Sequence, residues 1–313
     1  MADTTGIEWT DATWNVVTGC DKVSPGCDRC YAETFAERWR GIPGHHFENG
    51  FDITLRPERL DLPFRWKKPK RVFVNSMSDL FHKDIPDEYI AQVFAVMART
   101  PQHTYQILTK RHGRMRSLVG SLIDGGQSLI EAAPDEETAL ALYDTVWPLP
   151  NVWLGVSVED QKRADLRIPA LVDTAAAVRF LSCEPLLGPV DLTRWLRPVP
   201  GCGHVDSDDG TCGHPDAFTP ECHRWADCPV RNRLTDWHGP DWVIVGGESG
   251  RGARPMRPEW AAEIVHQCQI SGVAMFVKQL GSCWGKQHKD IDQFPGDLQV
   301  REFPDAFYAE SAA

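Results

Sequence analysis

The sequence predicts an α/β fold, a partial or full (β/α) barrel that carries a cysteine- and histidine-rich insertion. Short apolar runs alternate with helical patterns six or seven times along the 313 residues, which is the order expected of a parallel sheet with helical connections. The runs are continuously apolar, as in strands that are buried on both faces. Polar residues follow the runs at their carboxyl ends, where barrel enzymes place their active groups. An open, doubly wound sheet would give the same pattern.

The predicted elements divide the chain into a barrel core, an insertion and a tail. The core comprises residues 1–197 and 241–285, the insertion residues 198–240, and the C-terminal tail residues 286–313. Strands are predicted at 14–18, 51–55, 71–75, 104–109, 151–157, 177–182, 241–245 and 274–278. Helices are predicted at 31–40, 113–123, 138–147, 161–174 and 259–271, with a further one opened by residues 86–88. Residues 124–137 are predicted to be a polar insertion.

Composition is typical of a globular protein and excludes some functions. Hydrophobic residues make up 42% and charged residues 25%, and no apolar run approaches the length of a membrane span. The formal net charge of −11 disfavours a surface that binds nucleic acid all over, although a local basic patch is compatible with it. Ten cysteines without a recognisable secretory signal favour metal binding over disulfides and predict a cytoplasmic protein.

The chain is organised around a loop with three cysteines, Cys20, Cys27 and Cys30, spaced C-x6-C-x2-C. A predicted helix follows this loop, and a helix N-terminus favours thiolates. Three thiolates at this spacing can hold three corners of a 4Fe–4S cluster and leave the fourth iron open. A structural zinc ion usually has four protein ligands, and the next candidates, His45 and His46, lie beyond the helix. Zinc, and unliganded cysteines in a core, are the alternatives.

Several stretches resemble known families. Residues 26–32, which contain Cys27-x-x-Cys30-Tyr31, resemble the C-x-x-C-aromatic ending of radical S-adenosylmethionine (SAM) enzymes, especially spore photoproduct lyase and its relatives. Residues 14–32, 180–188 and 245–249 are more similar still to a phage and bacterial family, the three-cysteine-motif or radical-SAM-like family, and this resemblance covers most of the chain. Radical SAM enzymes usually have the spacing C-x3-C-x2-C, whereas the first gap here has six residues.

The resemblance implies a barrel of the radical SAM type with a defined chemistry. A 4Fe–4S cluster on the three cysteines would receive an electron from a reductant such as flavodoxin or ferredoxin. It would then cleave SAM to methionine and a 5′-deoxyadenosyl radical, which abstracts hydrogen from a substrate, plausibly a nucleic acid or nucleotide. The candidate SAM contacts at the strand ends are Asn75, Ser76, Ser78, Asp79, Ser157, Glu159 and Glu248. Any single one of these residues could instead be a helix cap.

Lys110 and Cys183 are the candidate catalytic residues. Lys110 opens a basic run with Arg111, Arg114 and Arg116, which would suit a phosphate-bearing substrate; a solvated helix face is the alternative. Cys183 follows a predicted strand. A thiol is a good hydrogen-atom donor to a carbon radical, and spore photoproduct lyases use one in this way. The alternative for Cys183 is a small buried core residue.

Residues 198–240 have little apolar content, and residues 202–228 within them hold four cysteines and three histidines. A segment of this kind usually needs a metal or a disulfide for stability, and zinc suits these ligands. An auxiliary iron–sulfur cluster and a flexible loop with incidental cysteines are the other interpretations. The predicted zinc ligands are Cys202, Cys212, Cys222 and Cys228, with His204, His214 and His223 as competitors.

Three functional hypotheses follow. The leading one is a radical-SAM-like enzyme. The second is a non-catalytic protein, stabilised by zinc, that binds nucleic acid or a protein partner. The third is a degenerate barrel that keeps the cluster and has lost SAM turnover.

Overall fold

A computed structural model describes residues 5–120, 125–196 and 239–304. Within these residues the fold is mixed α/β, and a seven-stranded parallel sheet curls into a half-barrel. The strands that form this sheet neighbour one another in chain order, without the reversal of strand order that defines a doubly wound sheet. The predicted α/β class and partial barrel are therefore confirmed. No helix among the described residues is both long and apolar enough to cross a membrane.

The sheet and its helices have the following bounds. The parallel strands are β1 (Ala12–Trp14), β4 (Arg71–Val74), β5 (Thr104–Thr109), β6 (Val152–Ser157), β7 (Val178–Cys183), β8 (Trp242–Gly246) and β9 (Ala274–Gln279). A separate antiparallel pair consists of β2 (Val17–Thr18) and β3 (Thr54–Leu55). The helices are α1 (Tyr31–Glu37), α2 (Leu62–Arg65), α3 (Asp87–Arg99), α4 (His112–Val119), α5 (Gln127–Glu131), α6 (Glu136–Tyr143), α7 (Gln161–Val172) and α8 (Pro258–Ser271).

Successive strand residues face opposite sides of the sheet, and the two sides of this sheet have different cores. The convex side has one core of aliphatic strand residues and helix residues, which includes Leu154 and Leu181 of the sheet, Ile168 of α7 and Ile264 of α8. The concave side holds a mostly aromatic cluster. We call it the concave aromatic cluster; its buried members are Trp9, Phe73, Trp153, Val178, Phe180, Trp242, Ile244 and Phe276.

One glycine makes room for this cluster. A Cβ atom on Gly155 would lie 2.5 Å from the ring of Phe180 on the neighbouring strand, which is closer than packed atoms approach. The concave face is thus filled up to the level of Phe180, and the space above it lies at the carboxyl ends of the strands.

Among the element predictions that differ from the structure, two have a clear physical reason. The predicted strand 14–18 is divided into β1 and β2, because the Oδ1 atom of Asn75 accepts hydrogen bonds from the amides of Val16 and Val17 at 3.1 and 3.3 Å and takes the place of a strand partner. Residues 124–137 contain α5 and the start of α6, because Leu129 is buried and anchors α5 to the convex core.

The open side of the half-barrel is covered by the two ends of the described chain. Trp9 packs against Phe73 with ring centroids 4.7 Å apart. Phe303 packs 5.3 Å from Trp242, so the segment assigned as a C-terminal tail contributes to the core up to this point. The predicted zinc ligands Cys202, Cys212, Cys222 and Cys228 lie outside the described residues.

Candidate functional site

A cavity of about 620 Å³ opens at the carboxyl ends of the parallel strands. Its floor is apolar and includes Trp9, Phe73 and Leu108, and its upper wall carries the three cysteines of the loop. Glu159 and Cys183 do not line it. The predicted site residues that line the cavity are Cys20, Cys27, Cys30, Asn75, Ser76, Ser78, Asp79, Lys110, Ser157 and Glu248.

The three loop cysteines are free and partly buried. Within the described part of the chain, the group whose metal-ligating atoms all come within 4.8 Å of one another is Asp21, His82 and Asp84. At least one pair of the three sulfurs is therefore more than 4.8 Å apart. A tetrahedral zinc ion with Zn–S bonds of about 2.3 Å would hold its sulfurs about 3.8 Å apart. At least one pair of sulfurs is thus farther apart than the ligands of a single zinc ion.

The group of Asp21, His82 and Asp84 holds the cysteine loop against the connection after β4. The Nε2 atom of the buried His82 lies 3.2 Å from Asp21, and its Nδ1 atom lies 3.7 Å from the Asp84 carboxylate. The Asp84 amide also donates to Nδ1 at 3.2 Å. The imidazole thus pairs with a different acid through each nitrogen, and one ligand atom from each of the three residues lies within 4.8 Å of the others.

Cys20 receives a hydrogen bond from a cation. The Nη1 atom of Arg111 lies 3.3 Å from its sulfur, and Nη2 donates to the carbonyl of Asp21 at 3.2 Å. Burial nevertheless raises the pKa of the Cys20 thiol to about 11, against the opposing charge of Arg111. Burial also raises the pKa of the Cys30 thiol, and this effect outweighs hydrogen bonds from the backbone amides of Glu33 and Ala32, which lower the pKa. A metal that binds here would displace thiol protons, so its uptake would be favoured by rising pH.

Asp79 is saturated by its own chain. Its carboxylate accepts hydrogen bonds from Thr109 Oγ1 at 2.7 Å, from the Lys110 amide at 2.9 Å and from the Phe81 amide at 3.1 Å. It also pairs with Arg111 at 3.2 Å. Asp79 therefore places Arg111 beside Cys20, and its lone pairs are already engaged by protein donors.

Asn75 forms the turn that ends β4 at the cavity wall. It is the non-glycine residue of the described chain with a positive φ, +61°, a conformation that costs about 1–3 kcal/mol for such residues. Its Oδ1 atom is used by the backbone of β2, while its buried Nδ2 atom has no hydrogen-bond partner. Ser78 donates to the Val17 carbonyl at 2.9 Å, and the Ser76 hydroxyl bonds Asn15 at 3.2 Å. These predicted cofactor contacts thus also hold the turn together.

Glu159 is fully buried below the cysteine loop. It accepts hydrogen bonds from Ser24 at 2.5 Å and from Arg167 at 2.7 Å, and Lys110 lies 3.5 Å away. Burial raises the pKa of the Glu159 carboxyl, but the charges of Lys110 and Arg167 outweigh this effect and hold the pKa below its usual value. Glu159 supports the loop rather than facing the cavity, whereas Lys110 donates to the cavity-lining Ser157 at 2.8 Å.

Glu248 supports the same loop through Arg254, whose Nη2 atom donates to the Pro25 carbonyl at 2.8 Å. Its carboxylate accepts hydrogen bonds from the amide and Nε of Arg254 at 2.7 and 3.0 Å, and Arg29 lies 3.8 Å away. Burial raises the pKa of Glu248, but the hydrogen bonds and charge of Arg254, together with Arg29, hold it below its usual value. Across the cavity, Lys278 pairs with Glu184 at 2.9 Å.

Cys183 and the outer arginines of the basic run lie away from the cavity. Cys183 is fully buried in the convex core, because β7 turns its neighbour Ser182 toward the cavity. Burial raises the pKa of the Cys183 thiol well above its usual value. Arg114 donates to the Ile85 carbonyl at 2.6 Å, and Arg116 pairs with Asp173 at 3.2 Å. These two arginines are engaged within the chain, away from any ligand in the cavity.

Sequence reasoning missed Ser24, Arg167 and Arg254, which hold the cysteine loop in place. One signal was available, since Arg167 lies on the apolar face of α7 beside Ile168, and a buried cation requires an anionic partner. The partnership of Arg254 with residues more than two hundred positions earlier had no signal in the sequence.

Comparison with known proteins gives one match. Comparisons with curated proteins and with solved structures give none. The model of the DUF5131 family matches residues 4–304, and the description of this family is "Protein of unknown function". Because the match covers nearly the whole chain, the protein belongs to the DUF5131 family.

Proposed function

We propose that the protein is a radical-SAM-like iron–sulfur enzyme. Cys20, Cys27 and Cys30 would hold a 4Fe–4S cluster with one open iron, and the cavity beneath them would receive SAM and part of a substrate. The observation that carries the proposal is that three free thiols from one loop line a single cavity with an apolar floor, and at least one pair of their sulfurs is more than 4.8 Å apart. When bound, the cluster supplies an electron that cleaves SAM to methionine and a 5′-deoxyadenosyl radical.

The residues around the thiols fit such a cluster. A four-iron cluster is larger than one ion, so its thiolates stand further apart. Arg111 donates a hydrogen bond to the sulfur of Cys20. The backbone amides of Ala32 and Glu33 donate to Cys30 and favour its thiolate form. Donors of this kind neutralise thiolate charge and tune the reduction potential of a cluster.

The cavity has the size and polarity of a small-molecule site. Its volume of about 620 Å³ lies within the usual range for such sites. The aromatic floor would exclude water, while Lys110, Ser157 and Glu184 offer donors and acceptors above it. These groups would orient the polar parts of a bound ligand against the apolar floor.

The proposed substrate class, a nucleotide or nucleic acid, rests on the resemblance to spore photoproduct lyases. Two cations that line the cavity reach solvent, Arg29 with 46% and Lys289 with 50% of the side chain exposed. They are the groups we expect to meet a phosphate at the cavity mouth. A small electron-transfer protein such as flavodoxin or ferredoxin is the proposed reductant.

The test uses the full chain purified without oxygen. Iron, sulfide and zinc are quantified, and the EPR spectrum of the reduced protein is recorded before and after SAM is added. We expect about four irons per chain, as a 4Fe–4S cluster requires, and a spectrum that changes with SAM. Cys27→Ala should abolish the iron, whereas Cys283→Ala, which removes an exposed thiol outside the cavity lining, should retain it.

Two results would contradict the proposal. Zinc without iron after reconstitution would favour the zinc-stabilised binding protein instead. A cluster whose EPR spectrum does not change when SAM is added, together with no formation of 5′-deoxyadenosine, would favour the degenerate barrel that keeps the cluster and has lost SAM turnover.

A further inference from the structure

We infer that Arg254 is a positioning residue that holds the cysteine loop in its ligand-ready conformation before any metal arrives. Arg254 itself is remote in sequence from the loop and does not line the cavity. Its importance for cluster binding rests on the proposed function, whereas its effect on the loop does not.

The guanidinium of Arg254 spans the middle of the loop. Its Nη2 atom donates to the carbonyl of Pro25 at 2.8 Å, and its Nη1 atom lies 3.5 Å from the carboxylate of Asp28. These two contacts fall on either side of Cys27. An arginine presents several donors in a rigid planar fork, so one side chain can fix both flanks of this cysteine at once.

The guanidinium is also fixed to the sheet through Glu248, which binds its Nε and Nη2 atoms. This carboxylate is 6% exposed and accepts from both the backbone and the Nε atom of Arg254. The preceding Gly247 is locked to β9, since its amide donates to Gln279 at 2.9 Å and a Cβ atom on it would lie 2.4 Å from the Leu280 carbonyl. Arg254 therefore connects the loop to a rigid part of the sheet, the ends of β8 and β9.

The local structure around Cys27 is short. The loop's own backbone supplies one 3-10 helix, Pro25–Cys27, in which the amides of Cys27 and Asp28 donate to the carbonyls of Ser24 and Pro25 at 2.8 and 3.2 Å. Fixing one residue costs about 1–2 kcal/mol in backbone entropy, so an ordered loop needs contacts from outside. Ser24 receives one from Glu159, and the flanks of Cys27 receive theirs from Arg254.

The test measures the alkylation of thiols by iodoacetamide in the metal-free protein, resolved by residue with mass spectrometry. Arg254→Met should raise the alkylation rate of Cys27 about tenfold, which corresponds to about 1.4 kcal/mol of lost ordering. Arg254→Lys, which keeps the charge and a single contact, should give an intermediate rate. Arg251→Met removes an exposed arginine from the same segment and should leave the rate unchanged.

The sign of the change separates positioning from simple electrostatics. Loss of a nearby cation disfavours the thiolate and would slow alkylation, whereas a loosened loop speeds it. An unchanged or slower rate at Cys27 would therefore overturn the inference. An equal acceleration at the buried Cys268 would also overturn it, because that result indicates general unfolding.

A second measurement separates this inference from the proposed function. If the protein binds iron, Arg254→Met should lose it to a chelator several times faster than the parent does, and equal rates would refute the role of Arg254 in metal binding. If neither protein binds iron, the proposed function fails, and the alkylation rates still decide whether Arg254 orders the loop.

Discussion

The replacement Glu159→Gln should strongly destabilise the metal-free protein. The carboxylate is fully buried and lies 2.7 Å from Arg167, whose side chain is only 3% exposed. Glutamine keeps the shape and removes the charge, so a guanidinium is left in the core without its anion. Breaking a buried pair in this way costs about 3–5 kcal/mol. At about 2.1 cal/mol/K of unfolding entropy per residue, this cost lowers Tm by about 5–8 °C.

Urea and thermal unfolding at neutral pH measure this loss, with Glu33→Gln as the matched control. Glu33 pairs with Lys22 at 2.9 Å on the surface, with side chains 34% and 51% exposed, and such pairs contribute about 0–1 kcal/mol. The double replacement of Glu159 by Gln and Arg167 by Met removes both charges and should recover part of the stability. A loss below about 1 kcal/mol for Glu159→Gln would refute this description of the pair.

The same pair predicts a pH dependence with a defined sign. The folded pKa of Glu159 lies below the ordinary glutamate value of 4.5. Its contribution to stability is therefore complete above about pH 4.5 and is lost as the pH falls through the folded pKa. The stability difference between the parent and Glu159→Gln should shrink in that acidic range. A difference that stays constant down to full protonation would contradict the assignment.

Two further predictions concern the core and the cluster. Gly155→Ala should destabilise the protein by about 1–3 kcal/mol in urea unfolding, because its new methyl group would overlap the ring of Phe180; an unchanged midpoint would show that the ring can move aside. If the proposed cluster is present, Arg111→Met should make its reduction potential more negative, because the replacement removes the donor to Cys20. An EPR redox titration measures this shift, the control is Arg116→Met on an exposed face of α4, and equal potentials would exclude a role for Arg111.

Much of the fold could be predicted from the sequence because its signals are local. Continuous apolar runs at 104–109 and 151–157 correspond to β5 and β6 within one residue, since a strand buried on both faces needs apolar side chains throughout. The C-x6-C-x2-C spacing is likewise a local pattern, and it singled out the loop that stands at the mouth of the cavity. Lys110 and Ser157, which mark the ends of two predicted strands, both line the cavity. They do so because the carboxyl ends of parallel strands lie at the same edge of a sheet.

The sequence did not determine which way a side chain points or which residues lie across the fold from it. Cys183 and Ser182 are neighbours in sequence, yet of the two only Ser182 lines the cavity. Successive residues of β7 face opposite sides of the sheet, and the way in which β7 pairs with its neighbours decides which residue faces the concave side. Glu159 was expected at the site, but Ser24 and Arg167 draw its carboxylate beneath the loop instead.

The sequence by itself determined the class of fold, the order of strands and helices, and the loop of three thiols, because periodicity and spacing are properties of neighbouring residues. Only the tertiary structure decided that the sheet stops at a half-barrel and that two buried carboxylates secure the loop, Glu159 through Ser24 and Glu248 through Arg254. Both outcomes depend on contacts between residues far apart in the chain. Such contacts are selected by packing and charge compensation in three dimensions, and no local pattern encodes them.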